Sequence, residues 1–301
     1  MQSLMPKLGI KREDIMFVSG IGCSSRFPYY MNTYGFHSIH GRAPAFATGI
    51  KMNRPELSVW IITGDGDALS IGGNHLMHII RRNMDVKICL FNNRIYGLTK
   101  GQYSPTSVLG QRTKSSPTGS LDYPIHPIAV ALAAEATFVA RTLDADPKHM
   151  LKILDRAAKH KGTAFVEIYQ NCNIFNDGAH SHVADKKQRP DNALYLEQGE
   201  PLRFGREMEK GIKLEGTKPV VVENVSDDEL LVHDYAEEDP TYAFFLARMR
   251  APDHPVPLGV FREVAKPPYN EMVNIEVADA MAKEKRTIQE LLNGNSTWVV
   301  E

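Results

Sequence analysis

The stretch of residues 64–97 most constrains what this chain can fold into. An apolar run rich in β-branched residues, 58–63, precedes it and predicts a buried strand. A glycine–aspartate turn then leads into apolar residues at helical spacing, and a second apolar run, 86–91, ends in two asparagines. A strand–turn–helix–strand unit of this kind normally joins two parallel strands by a right-handed connection. We therefore predict an α/β fold with a mainly parallel sheet that has helices on both faces.

Polar side chains follow both of these strands at the point where each strand ends. Asp65 comes after the first strand and Asn93 after the second, 28 positions later. Open α/β sheets bind their ligands at this edge, where the carboxyl ends of parallel strands meet. An acid and an amide suit a hard cation, and the glycines Gly64 and Gly66 let the backbone approach a phosphate closely. The sequence therefore predicts a cation and phosphate site here.

A second glycine-containing strand end lies at residues 20–25, after a predicted strand over 15–20. It resembles a dinucleotide fingerprint, but Ser25 replaces the third glycine and no amphipathic helix follows. A nicotinamide site is therefore disfavoured, and a strand end whose amides and hydroxyls face a ligand is favoured over an ordinary tight turn. His40 and Arg42 flank a glycine just before a predicted helix of small residues, a natural place to meet phosphate.

Two other groups of polar residues leave alternatives open. Lys100 lies in a glycine-containing loop, 96–107, and can either meet an anionic substrate or remain solvated. His180 and His182 suggest a metal site, but no third ligand is evident nearby, so a surface loop is the favoured interpretation.

Composition excludes several classes of protein. The chain has 301 residues, with 43% hydrophobic and 24% charged residues and a net charge of −1, which is ordinary for a globular enzyme. No basic block indicates a nucleic-acid partner, and no apolar run reaches the length of a membrane span or forms a signal peptide. We therefore expect a cytoplasmic protein without nucleic-acid or membrane partners.

The order of predicted elements suggests two regions. Helices alternate with strands as far as about residue 170, which indicates a parallel sheet, and the pattern weakens from about residue 179. We predict a ligand-binding domain over 1–195 and a C-terminal extension over 196–301 that packs on it or on a partner subunit. The extension is expected to end in an amphipathic helix, 277–294, capped by glycine.

The spacing of the glycine–aspartate turn and the paired asparagines resembles the thiamine diphosphate signature. In that family the acid and the second amide bind magnesium together with a backbone carbonyl two residues later. The resemblance places these three ligands at Asp65, Asn93 and Ile95 of this sequence, the last through its carbonyl oxygen.

The resemblance extends to the segments around residues 19–30, 37–49, 64–75, 91–107 and 172, which are similar to the β subunit of 2-oxoacid:ferredoxin oxidoreductases of the 2-oxoglutarate type. It implies oxidative decarboxylation of a 2-oxoacid to acyl-CoA and CO₂, with coenzyme A as cosubstrate, ferredoxin as electron acceptor and an α subunit as partner. It also implies that Lys100 meets the substrate carboxylate and that His40 takes part in catalysis. The residues that it implies for thiamine diphosphate and its metal are Gly22, Cys23, Ser24, His40, Gly64, Asp65, Gly66, Asp67, Asn93, Ile95, Leu98 and Thr99.

The same family holds a four-iron four-sulfur cluster on four cysteines, and this chain departs from that pattern. The resemblance matches two of them to Cys23 and Cys172, whereas the other two form a CxxC pair in a segment upstream of Met1. Residues 1–8 have the spacing of a helix end without a start signal, so we expect that an N-terminal segment is missing. The cluster is expected only if that segment supplies the CxxC pair.

Two other functions remain open from the sequence. One is a non-redox thiamine diphosphate-dependent decarboxylase or synthase, which needs the same magnesium site but no cluster cysteines. The other is a cofactor-binding subunit that is inactive without its partner.

Overall fold

The computed structural model describes residues 1–283 and 286–300. The strands are β1 (Ile15–Ser19), β2 (Tyr34–His37), β3 (Ser58–Gly64), β4 (Lys87–Asn92), β5 (Phe138–Leu143), β6 (Ala164–Tyr169), β7 (Ala193–Leu196), β8 (Arg203–Phe204), β9 (Lys210–Glu215), β10 (Lys218–Glu223) and β11 (Val256–Glu263). The α-helices are α1 (Ala43–Asn53), α2 (Asp65–Leu69), α3 (Gly73–Arg81), α4 (Pro127–Ala133), α5 (Pro147–Lys159), α6 (Ser181–Ala184), α7 (Arg189–Asn192), α8 (Thr241–Arg248), α9 (Tyr269–Lys283) and α10 (Ile288–Asn293). Short 3₁₀ helices lie at Met5–Leu8, Arg12–Asp14, Ser24–Tyr30 and Asp227–Glu229.

Eight of these strands form one sheet in the order β2-β1-β3-β4-β6-β5-β11-β7. All neighbours from β2 to β5 are parallel, and β11 runs antiparallel to β5 and parallel to β7. The predicted α/β fold with a mainly parallel sheet is therefore confirmed. Strands β8, β9 and β10 form a separate antiparallel sheet.

The central strands form because their side chains are buried on both faces of the sheet. Every residue of β5 and β6 is buried, which explains why their sequences are nearly continuous apolar runs. One face packs on α1, α3, α4 and α8, and the other packs mainly on α5. Each large buried side chain, such as Trp60 or Phe17, contributes roughly 1.5–3 kcal/mol by leaving water.

The segment after β3 forms two short helices where the sequence predicts one. Helix α2 starts at Asp65, immediately after the last residue of β3, and α3 begins at Gly73. Between them a Cβ atom on Gly72 would lie 2.4 Å from the carbonyl oxygen of Asp67, so only glycine fits there. The two acids Asp65 and Asp67 thus lie in the first turn after the strand, at the carboxyl edge of the sheet.

Strand β11 comes from the segment that the sequence assigns to a C-terminal extension, and yet it lies inside the main sheet. It pairs with β5 on one side and with β7 on the other. The sheet therefore takes strands from both sides of residue 195. An apolar strand pattern shows that a segment is buried, but it does not show which strands become its neighbours.

The last helical segment differs from its prediction. Helix α9 begins before the predicted start and ends at Lys283, and α10 begins separately with a capping box between Thr287 and Glu290. Gly294 follows α10 as its cap, as predicted, whereas residues 284–285 of the predicted helix lie outside the described residues. None of the helices in the described part of the chain combines the length and apolar character that crossing a bilayer requires.

The histidine at the end of α5 predicts a pH dependence of stability. Burial, followed by the charge of Lys87, lowers the pKa of His160 to about 4, and its Nε2 lies 2.7 Å from Thr137 Oγ1. Between about pH 6.5 and pH 4 the unfolded chain therefore binds a proton at His160 that the folded chain does not bind. The free energy of unfolding falls as the pH falls through this window, and the contribution of His160 to this loss is up to about 3 kcal/mol. We expect His160→Gln to reduce the loss of stability between pH 7.5 and pH 4.5 in urea unfolding.

The matched control is His78→Gln on the exposed face of α3. It should leave the pH dependence of the wild type unchanged. An equal dependence in His160→Gln and in the wild type would contradict the assignment.

Candidate cofactor site

A cleft of about 150 Å³ opens at the carboxyl ends of β1, β3 and β4. The loops that follow these strands form its walls because neighbouring parallel strands end at the same edge of the sheet. The cleft brings together all twelve residues that the resemblance implies for the cofactor and metal. These are Gly22, Cys23, Ser24, His40, Gly64, Asp65, Gly66, Asp67, Asn93, Ile95, Leu98 and Thr99.

Asp65 lies at the floor of this cleft with 2% of its surface exposed. Ser104 Oγ donates a hydrogen bond of 2.5 Å to Asp65 Oδ2, and Thr106 Oγ1 lies 2.6 Å from the same oxygen. Burial raises the pKa of the Asp65 carboxyl to about 6, although these two hydroxyls act in the opposite direction. A buried carboxylate held by hydroxyls, without a positively charged partner, is well prepared to receive a cation.

Asn93 provides the test of whether a metal fits this cleft. Its Oδ1 atom is buried and has no hydrogen-bond partner among the described residues. Buried amide oxygens are nearly always paired, so an unpaired one that lines a cleft together with a carboxylate indicates a missing ligand. Ile95, whose carbonyl is the third predicted oxygen donor, also lines the cleft. An oxygen-only donor set of this kind fits Mg²⁺.

Asp67 has a different environment from Asp65, because protein groups surround its carboxylate. Oδ1 accepts hydrogen bonds from the backbone amides of Ile21 and Gly41, at 3.0 and 2.7 Å, and Oδ2 accepts one of 2.6 Å from the Thr63 hydroxyl. Through these bonds Asp67 holds the loops after β1 and β2 against the turn after β3. It therefore shapes the wall of the cleft while its oxygens are already engaged.

His40 is oriented by the same carboxylate. Its Nδ1 donates a hydrogen bond of 2.6 Å to Asp67 Oδ1, and the side chain remains 38% exposed. Because Nδ1 is engaged, Nε2 is the ring nitrogen that can meet a ligand. The neighbouring Gly41 has φ of 70° and lies directly against Gly72, where a Cβ atom would come within 2.5 Å of the Gly72 nitrogen. Glycine is required there for this loop to approach the turn.

Gly66 and Tyr96 fix the loop after β4 against the turn after β3. The Tyr96 hydroxyl donates a hydrogen bond of 3.0 Å to the Gly66 carbonyl. A Cβ atom on Gly66 would lie 2.1 Å from the Tyr96 ring, so a larger residue would displace this loop. The glycines of the turn thus serve packing as well as approach to a ligand.

Cys23 and Cys172 lie side by side at one end of the cleft. Their sulfur atoms are 3.4 and 3.7 Å from the position that a Cβ atom on Gly97 would take. Burial, followed by the nearby Cys172, raises the pKa of the Cys23 thiol. Cys89 is buried in the core, where burial raises its pKa to about 12. No group of three metal-ligating side chains occurs within residues 1–283 and 286–300. The two neighbouring thiols of Cys23 and Cys172 therefore do not complete a four-cysteine cluster site.

Lys100 lies beyond the walls of the cleft, in contrast to its neighbours Leu98 and Thr99. It is exposed and occupies the left-handed region, with φ of 76°, at the tip of a tight loop closed by the pairing of Tyr96 with Gln102. The structure therefore places the lysine near the cleft entrance and does not give it a contact inside.

Several residues that contact the site were missed from the sequence. Ser104 and Thr106 come from the polar loop after β4, which has no periodicity to indicate where its side chains point. Thr106 Oγ1 also lies 2.9 Å from Asn92 Oδ1, and Asn92 Nδ2 donates a hydrogen bond of 2.7 Å to Glu167. Only the fold brings the middle of β6 next to the end of β4, so no sequence signal could have found Glu167.

The predicted surface loop at His180 and His182 is wrong for His180. That ring is 3% exposed, stacks on Tyr169 with a centroid distance of 3.9 Å, and places Nε2 3.0 Å from the Asn92 carbonyl oxygen. The histidine is buried because the segment folds back over the ends of β4 and β6. A polar sequence does not reveal such a packing position.

Comparisons with known proteins agree on one family. Residues 20–168 match a family model described as thiamine pyrophosphate enzyme, C-terminal TPP binding domain. The 2-oxoglutarate oxidoreductase subunit KorB of Mycobacterium tuberculosis is 51% identical over 310 aligned positions, which cover 100% of this chain and 82% of that protein. The 2-oxoacid:ferredoxin oxidoreductase 1 subunit beta of Aeropyrum pernix is 46% identical over 59% of this chain and 56% of its own length.

A solved structure is similar over nearly the whole chain. It is described as 2-oxoglutarate:ferredoxin oxidoreductase from Magnetococcus marinus with 2-oxoglutarate, coenzyme A and succinyl-CoA bound. The TM-score is 0.77 at 29% identity, and the match covers 98% of this chain and 86% of that one. The resemblance stated from the motifs is confirmed by these findings.

Proposed function

Since this chain belongs to the family of 2-oxoacid:ferredoxin oxidoreductase β subunits, we propose that it binds thiamine diphosphate and Mg²⁺ for the conversion of 2-oxoglutarate and coenzyme A to succinyl-CoA and CO₂. The observation that carries the site is the buried, unpaired Oδ1 of Asn93 in the same cleft as the buried carboxylate of Asp65. The substrate is the one that the names of the relatives share. Electrons are passed to ferredoxin in this proposal.

The chain's own residues hold and orient the cofactor. Asp65, Asn93 and the Ile95 carbonyl would bind Mg²⁺, whose charge would offset that of the diphosphate. Asp67 keeps His40 and the Gly41 amide fixed at the wall, so that His40 Nε2 faces a ligand with little reorganisation. When bound, thiamine diphosphate supplies the electron sink that stabilises the carbanion left by decarboxylation.

The described residues of this chain do not hold all the ligands of a cluster that could carry electrons. Its sequence contains three cysteines, and the two that lie together, Cys23 and Cys172, are half of the set that a four-cysteine cluster needs.

An α subunit is part of the proposed enzyme because the relatives are named as subunits. The cleft is lined by this chain on the metal side and is open at its mouth. The partner is proposed to close this mouth and to complete the substrate pocket.

The direct test is turnover by the chain coexpressed with its α subunit. We expect CO₂ release and reduction of a viologen dye that both depend on 2-oxoglutarate and on coenzyme A. CO₂ release without coenzyme A and without dye reduction would instead support a non-redox decarboxylase. A cofactor-loaded but inactive complex would support a subunit that only binds the cofactor.

Lys100 is proposed to select the substrate through the distal carboxylate of 2-oxoglutarate. Lys100→Asn keeps a residue that tolerates positive φ and removes the charge. We expect kcat/KM for 2-oxoglutarate to fall by about tenfold or more, and that for 2-oxobutyrate to change little, because only the former has a second carboxylate.

Lys114→Asn, in another exposed loop, is the matched control and should affect neither substrate. Equal losses on both substrates in Lys100→Asn would contradict the assignment.

A further inference from the structure

A second cavity, of about 510 Å³, lies behind the floor of the cofactor cleft. Its walls come from the loop after β4, the segment before α4 and the end of α8, which meet over the carboxyl ends of β4 and β6. Asn92, Thr106 and Glu167 line it from below. The thiamine diphosphate and the metal are proposed to bind in the first cleft, not in this cavity.

The cavity carries an excess of positive charge. Arg94, Arg248 and Arg250 line it, and none of the three forms a salt bridge within the part of the chain that the structure describes. A fourth arginine, Arg141, is neutralised by Glu167, whose Oε2 accepts a hydrogen bond of 2.7 Å from Arg141 Nε. Three guanidinium groups therefore face one concave space without an acidic partner, and such a space concentrates anions.

His126 lies beside these arginines. It lines the same cavity and contacts the guanidinium of Arg250. Burial, followed by the charges of Arg250 and Arg248, lowers the pKa of His126 to about 4. The imidazole is thus neutral at physiological pH and offers a lone pair to Arg250 in place of a carboxylate.

The remaining wall is apolar and aromatic. The cavity is lined by Val108, Leu109, Ile125 and Tyr123, whose side chains are 37–82% exposed. Exposed apolar side chains grouped beside arginines form a wall against which a flat ring or a hydrocarbon chain can pack. The cavity is therefore divided into a basic part and an apolar part.

We propose that this cavity binds a phosphate-bearing organic ligand of the nucleotide class. Guanidinium groups form paired hydrogen bonds with phosphate oxygens, and three arginines without an acidic partner match a ligand with more than one negative charge. The volume lies in the range of pockets that hold whole organic ligands, and an inorganic phosphate alone would leave the apolar wall uncovered. Coenzyme A and free adenine nucleotides both carry this chemistry.

A series of close polar contacts connects this cavity to the cofactor cleft. It runs from Arg141 through Glu167, Asn92 and Thr106 to Asp65, with separations of 2.7, 2.7, 2.9 and 2.6 Å. All five residues are buried. An anion held by the arginines would therefore lie at one end of this series of contacts, and the carboxylate at the cleft floor lies at the other end.

Equilibrium binding to the full chain tests the site. A fluorescent ADP analogue is titrated in low salt without thiamine diphosphate or 2-oxoacid, and coenzyme A, unlabelled ADP, inorganic pyrophosphate and poly-glutamate serve as competitors. We expect competition by ADP and coenzyme A, and weaker competition by pyrophosphate because it lacks the apolar body. The double variant Arg248→Gln/Arg250→Gln should weaken binding by about tenfold or more, whereas Arg81→Gln/Arg82→Gln on the exposed end of α3 should not.

The relative strength of the competitors also identifies the source of the phosphate. Coenzyme A that competes far better than ADP assigns the cavity to the cosubstrate, and equal competition assigns it to free nucleotides. The inference is overturned if the analogue does not bind, if both double variants weaken it equally, or if poly-glutamate alone competes. The last result would assign the arginines to an acidic protein. Because no turnover is measured, these outcomes are independent of the proposed reaction.

Discussion

Asp65→Asn is expected to abolish metal-dependent turnover while leaving the fold at least as stable as that of the wild type. The amide has the same shape but lacks the negative charge that attracts Mg²⁺, so turnover of the coexpressed complex should fall by more than about 100-fold. Burial raises the pKa of this carboxyl to about 6, which means that its ionised form destabilises the metal-free fold above pH 6. Its removal should therefore raise the free energy of unfolding at pH 8, by up to about 3 kcal/mol. The measurements are Mg²⁺ titration of activity and urea unfolding without metal.

The contrasting variant is Asp67→Asn, two residues further along α2. Its carboxylate accepts hydrogen bonds from Ile21, Gly41, Thr63 and His40, so an amide cannot satisfy all of them. We expect this variant to lose about 2 kcal/mol or more of stability. If Asp65→Asn were destabilised as much as Asp67→Asn, Asp65 would be a structural acid and its assignment as a metal ligand would be unsupported.

Glu167→Gln is expected to produce the largest loss of stability. Glu167 is fully buried and pairs with Arg141, which is 4% exposed, while its other oxygen accepts a hydrogen bond from Asn92. Removing the charge leaves the Arg141 guanidinium buried without an anion, which typically costs about 3–5 kcal/mol. Urea unfolding at pH 7.5 measures this loss.

The surface pair between Lys152 and Glu197 is the matched control. Their distance is the same, 2.7 Å, but both side chains are about half exposed. Glu197→Gln should therefore change stability by less than about 1 kcal/mol. Similar effects of the two variants would show that burial of the Arg141–Glu167 pair has little importance.

The parts of this protein that follow from local sequence were predictable. Mainly apolar runs identify β3, β4 and β6, since strands buried on both faces are mostly apolar. The direction of the chain predicts the edge of the sheet at which these polar residues lie, because neighbouring parallel strands end at the same edge. For that reason Asp65 and Asn93, although 28 positions apart, were expected in one cleft, and the structure brings them there.

The partners of these residues were not predictable. Ser104, Thr106 and Glu167 lie in a loop without periodicity and in the middle of a strand, and β11 enters the sheet from a distant segment. Lys100 comes from a motif that suggests a substrate contact, and the tight loop places it outside the cleft walls, so that contact stays a prediction.

The sequence by itself placed the residues that we propose for the metal and the cofactor on one edge of the sheet. Composition and periodicity are local properties that predict where strands end. Because parallel strands end at the same edge of a sheet, they also predict the edge at which the polar residues lie. Only the tertiary structure decided that Asp65 is buried against hydroxyls, that Asp67 is engaged by two loops, and that three arginines without an acidic partner share a cavity. Charge and hydrogen bonding depend on distances between segments remote in the chain, and packing sets those distances.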